Sequence, residues 1–256
     1  EHVGDCEAPC TRGCPASLNI PVMIRHVISG NMQKAFEEAR DALVFPSVLG
    51  RICRAPCEKV CRRGKYDSAV AISLLERFTG DWGLNNADRK LPDCLPDTNK
   101  KVCIVGAGPA GLSTAFFLRR RGHVCEVMES LDSPGGQIRE KIDEGSLPGH
   151  IVDGEIARLE EMGAVIRLGR KLGRDFDLSE IAADFDAVVL ATGNRTGELL
   201  EKLGLETNGN TLRVDKMTGK TSMEKVFAAG AAAGSRGTAV LDIASGKKTA
   251  EFVDLY

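Results

Sequence analysis

The sequence predicts an α+β chain of two domains: a helical domain over residues 1–95, then a doubly wound, Rossmann-like α/β domain over residues 96–256. Three observations carry this expectation. Two cysteine runs of matched spacing lie within the first 61 residues. A glycine-rich turn, Gly106-x-Gly108-x-x-Gly111, follows a short apolar strand and opens a helix. Between them, Leu91-Pro-Asp-Cys-Leu-Pro-Asp-Thr-Asn carries two prolines and no periodicity, which marks a domain boundary.

In the first run Cys6, Cys10 and Cys14 fall every fourth residue, and Pro15 follows. Cys53, Cys57 and Cys61 repeat the spacing after a gap of 38 residues. Thiolates this dense, in a chain without signs of secretion, read as metal ligands rather than a disulfide framework. The Cys-Pro that closes the first run points to iron–sulfur clusters rather than zinc. The segment between the runs reads as helical. Asn19 caps a helix from Pro21, with Val22, Ile24, Val27 and Ile28 as its apolar positions, and Gly30 ends it. Asn31 caps a second, in which Met32, Ala35, Phe36, Ala39 and Leu43 recur with helical period. A third is expected from Ser68 to Thr79, with Val70, Ile72, Leu74, Leu75 and Phe78 apolar. Without clusters the core of this segment is thin, so metal is expected to supply much of its stability.

From Lys101 the pattern becomes α/β. Strands are expected at Val102–Val105, Val124–Met128, Ala164–Leu168 and Ala187–Leu190, with helices at Ala110–Arg121 and Glu155–Met162 and a last one from about Thr238 to Val253. Cys103 and Cys125 fall inside strands and read as core residues, and Cys94 as an unliganded thiol in the linker. Gly106 permits the tight turn, Gly108 lets backbone approach a pyrophosphate, and Gly111 lets helix and strand pack closely. Pro109 and Ala110 open the helix, whose free N–H groups face the phosphates. Glu129 ends the second strand, 18 residues after Gly111, where a carboxylate accepts from ribose hydroxyls. Metal clusters followed by a dinucleotide site point to a protein that moves electrons.

Composition excludes several classes. A net charge of −2 gives no pull toward nucleic acid or an anionic membrane, and 5% aromatic residues are too few for base-stacking platforms. No apolar run reaches the roughly 18 residues of a transmembrane helix, and no signal peptide is visible, so a cytoplasmic location is expected. The chain opens at Glu1 rather than Met, which leaves room for upstream residues. His26, His123 and His150 are scattered, with no Ser-His-Asp or metal-hydrolase arrangement around them.

Three further features favour FAD as the dinucleotide: Pro134-Gly135-Gly136-Gln137, the strand end Leu190-Ala191-Thr192-Gly193, and Val226-Phe227-Ala228-Ala229-Gly230 before the terminal helix. With Cys10-Thr-Arg-Gly-Cys14-Pro15, Gly50-Arg-Ile-Cys53-Arg-Ala-Pro-Cys57-Glu-Lys-Val-Cys61 and Ala71-Ile-Ser-Leu-Leu-Glu76-Arg, they give a resemblance over essentially the whole chain. It resembles the small subunit of glutamate synthase, the N-terminal part of dihydropyrimidine dehydrogenase and the large subunit of electron-bifurcating ferredoxin–NADP transhydrogenase. That resemblance implies two [4Fe–4S] clusters in the first domain and FAD in the second. It implies interleaved ligands: Cys6, Cys10 and Cys61 with His2 around one cluster, and Cys14, Cys53 and Cys57 around the other. A side-chain oxygen from the helix after the second run completes the latter set, and Glu76 matches that position; the plainer alternative is a solvated helix glutamate paired with Arg77 or Lys65. His2 stands one period before Cys6, where the family has a cysteine. It is either a ligand or a terminal histidine whose ligand lies upstream. Thr238 and Ala239 open the last helix, whose N-terminus is expected to face the flavin.

Two departures from the family change the functional expectation. The family inserts a nicotinamide-binding Rossmann unit between the Ala-Thr-Gly strand and the Ala-x-Gly segment. Here Thr192 and Val226 are only 34 positions apart, with no second glycine fingerprint, so that unit reads as deleted. The family also places Asp after Ala-x-Gly, against the ribityl chain, and here the residue is Ala231. The chain is therefore expected to be an electron-transfer subunit passing electrons between FAD, two [4Fe–4S] clusters and other redox subunits of a larger oxidoreductase complex. One alternative is a self-contained NAD(P)H-dependent oxidoreductase with transient nicotinamide binding at the flavin. Another is a scaffold holding zinc and a vestigial FAD.

Overall fold

The computed structural model describes residues 7–86, 90–194, 203–235 and 237–256. The chain packs as two compact units. One holds the described residues through Lys90 together with Lys141–Glu155, and the other holds Leu91–Glu140 and Ile156–Tyr256.

The first unit is helical: α1 (Pro9–Gly13), α2 (Ile20–Ile28), α3 (Met32–Leu43), α4 (Pro46–Ile52), α5 (Pro56–Lys59), a 3-10 turn at Arg62–Lys65, and α6 (Ile72–Asn85). Prolines in the first turns of α1, α2, α4 and α5 supply a preset φ and give up no helical N–H. Asn19 and Asn31 cap α2 and α3 as the sequence predicts, accepting from Val22 N and Lys34 N. The core is Met23, Phe36, Leu43, Phe45, Leu49 and Ile72, each almost fully buried and each contributing about 1.5–3 kcal/mol.

Two sequence expectations fail here. On α2 the buried residues are Ile20 and Met23, while Ile28 is 80% exposed. On the third helix both the ends and the face differ. α6 starts at Ile72, where the Glu58 carboxylate accepts from Ser73 N and Ser73 Oγ at 2.8 and 2.9 Å and so fixes the N-terminus. It then runs through Gly80 and Gly83, because these glycines are contact points rather than breakers. A Cβ on Gly80 would overlap Ser47 N, and one on Gly83 would overlap the Phe36 ring. The buried face of α6 is therefore Ile72, Glu76, Thr79, Gly80 and Gly83, and Leu74 and Phe78 lie exposed. The helices α8 (Gln137–Asp143) and α9 (Gly149–Glu161) follow later in the chain. Glu155 of α9 is buried, and its carboxylate accepts from Ser47 N and Val48 N at 2.9 and 3.0 Å, satisfying the first turn of α4.

The second unit is a parallel sheet of β1 (Lys101–Val105), β2 (Val124–Met128), β3 (Val165–Arg167), β4 (Ala187–Leu190) and β7 (Val226–Ala228), in the order β3-β2-β1-β4-β7. This is the doubly wound order, with the direction of progression reversing beside β1. α10 (Leu178–Asp184) leads into β4, and between β4 and β7 the described residues form β5 (Thr207–Asn208) and β6 (Thr211–Leu212), a two-stranded antiparallel ribbon. β4 and β7 are fully buried apolar runs and β1 is one beyond Lys101, as parallel strands covered on both faces require, whereas β2 carries Glu126 and the edge strand β3 is largely exposed. Cys103, Val105, Val188, Leu190, Val226 and Ala228 share one core with Leu172, Phe176, Leu178 and Leu212. Helices α7 (Pro109–Arg120) and α11 (Ala239–Leu255) pack directly on each other. A Cβ on Gly246 of α11 would overlap the Ala110 carbonyl, and Ser113 Oγ donates to Ile243 O at 2.9 Å. Cys103 and Cys125 are fully buried strand residues.

Candidate cluster and dinucleotide sites

The two cysteine runs meet. Cys10 lies in α1 and Cys14 directly follows it; Cys53 follows α4, and Cys57 lies in α5. A Cβ on Gly13 would stand 2.6 Å from Val60 Cγ2 and 3.4 Å from Cys57 Cα, so α1 seats against α5 only because residue 13 has no side chain. The thiols fall into two electrostatic groups. Cys14, Cys53 and Cys57 interact with one another and with Glu76, while Cys10 interacts with Cys61. Burial raises the Cys14 and Cys53 thiols and pushes Cys57 up to about 12, with repulsion from Glu76 adding to it. Backbone N–H groups lie at the sulfurs: Leu18, Ala16 and Ser17 at Cys14, Ala55 at Cys53, Glu58 at Cys57, and Val70, Arg63 and Gly64 at Cys61, where they lower the thiol. His2 and Cys6 lie outside the described residues.

Glu76 is not on a solvated face. It is 3% exposed, and burial followed by repulsion from Glu58 raises its carboxyl to about 7. No cation or hydrogen-bond donor among the described residues offsets this. A buried carboxyl facing three thiols is costly to ionise unless a positive centre joins it. Among the described residues no group of three His, Cys, Asp or Glu converges as one metal ion needs. A four-iron cluster makes a different demand, since each ligand bonds its own iron around the cluster. Three sulfurs, one carboxyl and converging N–H groups fit that demand.

In the second unit the predicted nucleotide residues gather at the carboxyl edge of the sheet. Gly106 to Gly111 follow β1, Glu129 follows β2, Ala191 to Gly193 follow β4 and Gly230 closely follows β7. Gly106 has φ +109°, and a Cβ there would overlap Ala191 O; one on Gly111 would overlap Gly106 O. At Gly108 a Cβ would meet nothing within 4 Å. The three glycines thus differ: two permit backbone contact inside the fold, and one leaves open space before a helix whose first turn has no side-chain cap. That space, with free N–H groups behind it, fits a pyrophosphate. Glu129 is 6% exposed; its Oε2 accepts from Ala107 N at 2.8 Å and its Oε1 from Leu131 N at 2.9 Å. Gly135 N donates to Ala107 O at 2.7 Å, and a Cβ on Gly136 would come 2.9 Å from Gly108 Cα, so the Gly135–Gln137 segment lies along the turn. Thr238 is the N-cap of α11, and Ala239 its first residue.

Comparison with known proteins finds two domain models along the chain. Residues 3–88 match the family model of dihydropyrimidine dehydrogenase domain II, 4Fe-4S cluster. Residues 104–165 match an NAD(P)-binding Rossmann-like domain. NADPH-Fe(3+) oxidoreductase subunit beta of Geobacter sulfurreducens is 39% identical over 190 residues, covering 73% of this chain and 28% of that protein. NADP(+)-dependent formate dehydrogenase subunit beta of Moorella thermoacetica is 35% identical over 207 residues, covering 73% and 29%. Glutamate synthase [NADPH] small chain of Mycobacterium tuberculosis is 35% identical over 212 residues, covering 80% and 42%. The chain is a homologue of these redox subunits. Its two matched segments give the order of an iron–sulfur cluster domain followed by a nucleotide-binding Rossmann-like domain. It spans less than half the length of each of the three relatives. No helix among its described residues is long and apolar enough to cross a membrane.

One buried acid beside these candidate residues was not legible in the sequence. Asp242 of α11 reads as an ordinary helix acid, yet it is 3% exposed and bonded to Gln137. Glu129→Ala, by contrast, tests a residue the sequence did single out. It should weaken flavin binding by about 1–3 kcal/mol, because Ala107 N and Leu131 N lose a charged acceptor and the expected ribose contact would go with it. Titration of the flavin-free protein with FAD measures this, and unchanged affinity would detach Glu129 from the nucleotide.

Proposed function

We propose that the chain is a cytoplasmic electron-transfer subunit that passes electrons between FAD, two [4Fe–4S] clusters and partner subunits of a larger oxidoreductase complex. The observation that carries this reading is the gathering of Cys14, Cys53, Cys57 and Glu76, in a chain that also presents the open Gly108 turn. Cys14, Cys53, Cys57 and Glu76 would hold one cluster. Cys10 and Cys61, with Cys6 and His2, would hold the other. The turn from Gly106 to Gly111 would bind the FAD pyrophosphate, Glu129 the adenosine ribose, and Gly136, Gln137, Thr192, Gly193, Gly230 and Thr238 would line the rest. Flavin, when bound, exchanges one and two electrons and so can join a two-electron partner to one-electron clusters. The backbone N–H groups at the sulfurs would donate to the cluster ligands and so would favour a reduced cluster.

Between Gly193 and Val226 the described residues hold only the β5–β6 ribbon and its flanking turns. This supports delivery of electrons by another subunit rather than by a nicotinamide domain of this chain. Anaerobic purification of the native complex tests the proposal. Close to eight iron atoms and one FAD per chain are expected, together with a redox partner and slow flavin reduction by NADH or NADPH when the chain is isolated. Stoichiometric zinc would overturn the cluster assignment. Rapid reduction of the isolated chain by NAD(P)H would favour a self-contained oxidoreductase.

A further inference from the structure

Three loops of the second unit meet at Asp242, in the first turn of α11. Its Oδ2 accepts from Gln137 Nε2 at 2.5 Å. Its Oδ1 lies 3.5 Å from where a Cβ on Gly230 would stand, and that same Cβ would be 2.6 Å from Ala110 Cβ. Gly230 N donates to Ser245 Oγ at 2.8 Å, which holds the loop down on α11. The carboxyl is therefore wedged behind the turn that opens α7, and it is 3% exposed. Burial raises its affinity for a proton, against the opposing influence of Ser235 and Gln137. Ser235 lies beside it, yet neither Ser235 Oγ nor Asp242 Oδ1 has an aligned hydrogen-bond partner among the described residues. A buried acid with an unpartnered oxygen is expensive to keep and calls for a reason.

We propose that Asp242 is a positioning residue for the flavin: by accepting from Nε2 it fixes the Gln137 amide so that Oε1 is left as the acceptor offered to the cofactor. The inference rests on the FAD reading above. The chemistry follows from the donor inventory. A carboxylate only accepts, so the amide can turn only its NH₂ toward it. A proton held on Oδ1 would still leave Oδ2 accepting, so the amide is oriented the same way in both charge states. Gln137 is well placed to use that orientation, because Gly136 beside it packs on Gly108. The chain also has reason to need it. Ala231 stands where the resemblance expects an aspartate, and its methyl offers no polar contact.

Asparagine at the same position could present either its oxygen or its NH₂, which frees the Gln137 amide to turn over. Holoprotein carrying Asp242→Asn, Gln137→Met or both should be stripped of flavin and titrated with FAD, following affinity and the visible absorption band. Each single variant is expected to weaken FAD roughly fivefold to twentyfold, as loss of one buried hydrogen bond would. Each should also shift the flavin band, a change that loosened packing far from the ring would not give. The double variant should be no weaker than the weaker single variant, since both cut the same link. Wild-type affinity and spectrum in Asp242→Asn, or effects that multiply in the double variant, would overturn the inference. If Asp242→Asn does not fold, Gln137→Met decides alone, and full affinity there overturns it. Wild-type protein that takes up no FAD would instead refute the flavin reading on which the inference stands.

Discussion

Glu76→Ala is expected to halve the iron content of the protein, from about eight to about four atoms per chain, while leaving one cluster intact. The expectation comes from where the carboxyl lies. Glu76 sits on the buried face of α6, 3% exposed, and interacts with Cys14, Cys53 and Cys57. Removing it leaves three sulfurs and an iron without a protein ligand. The pair Cys10 and Cys61 belongs to the other group, so the second cluster should keep its EPR signal in the reduced protein. Glu76→Gln is a useful companion, since it keeps an oxygen donor and the volume but loses the charge, and it should retain more iron than Glu76→Ala. Iron content and EPR spectrum both unchanged in Glu76→Ala would make Glu76 a structural acid. The opposite failure, loss of all iron, would mean that the two clusters do not assemble independently.

The position of Glu76 also shows what the sequence could and could not reveal. Strands β2 and β4 were legible to the residue, because Ala187–Leu190 is an apolar run and Val124–Met128 is one broken only by Glu126. The caps Asn19 and Asn31 were legible because capping is local chemistry. The face of α6 was not. Leu74 and Phe78 look like core residues in a periodic pattern, and Gly80 looks like a stop. Which side of that helix is buried is decided by α3 and α4, whose close approach needs Gly80 and Gly83 and turns Leu74 and Phe78 outward. The short helices α1, α4 and α5 escaped for another reason: at 5, 7 and 4 residues they hold too little of the 3.6-residue period to register. The packing of Lys141–Glu155 with the first unit has no sequence signal either, because it depends on Glu155 meeting the N-terminus of α4 some hundred residues away. In the candidate sites, spacing exposed the thiols and the glycines. Asp242 stayed hidden, since its burial comes from the Gly230 loop and Gln137, neither of which is near it in sequence.

Gly108→Val should abolish flavin binding and leave the fold and the iron untouched. The backbone at Gly108 has φ −83° and ψ −178°, an extended conformation that valine adopts readily. Nothing lies within 4 Å of a Cβ there, so the flavin-free protein has no contact to lose, and its stability should stay within about 0.5 kcal/mol. The same open space is what a pyrophosphate would occupy, and a branched side chain fills it. FAD affinity is expected to fall at least tenfold, about 1.4 kcal/mol or more. Gly111→Val provides the contrast. Its Cβ would overlap Gly106 O, a backbone atom in the turn itself, so helix and strand must separate. That variant should lose about 1–3 kcal/mol of stability or more, and lose flavin as a consequence of unfolding rather than of blockage. Thermal melting, flavin absorbance and iron content measured together separate the two cases. Gly108→Val is expected to melt like the parent with iron present and flavin absent, whereas Gly111→Val should melt earlier. Retention of FAD by Gly108→Val would move the pyrophosphate away from the turn, and the dinucleotide assignment of Gly106 to Gly111 would go with it.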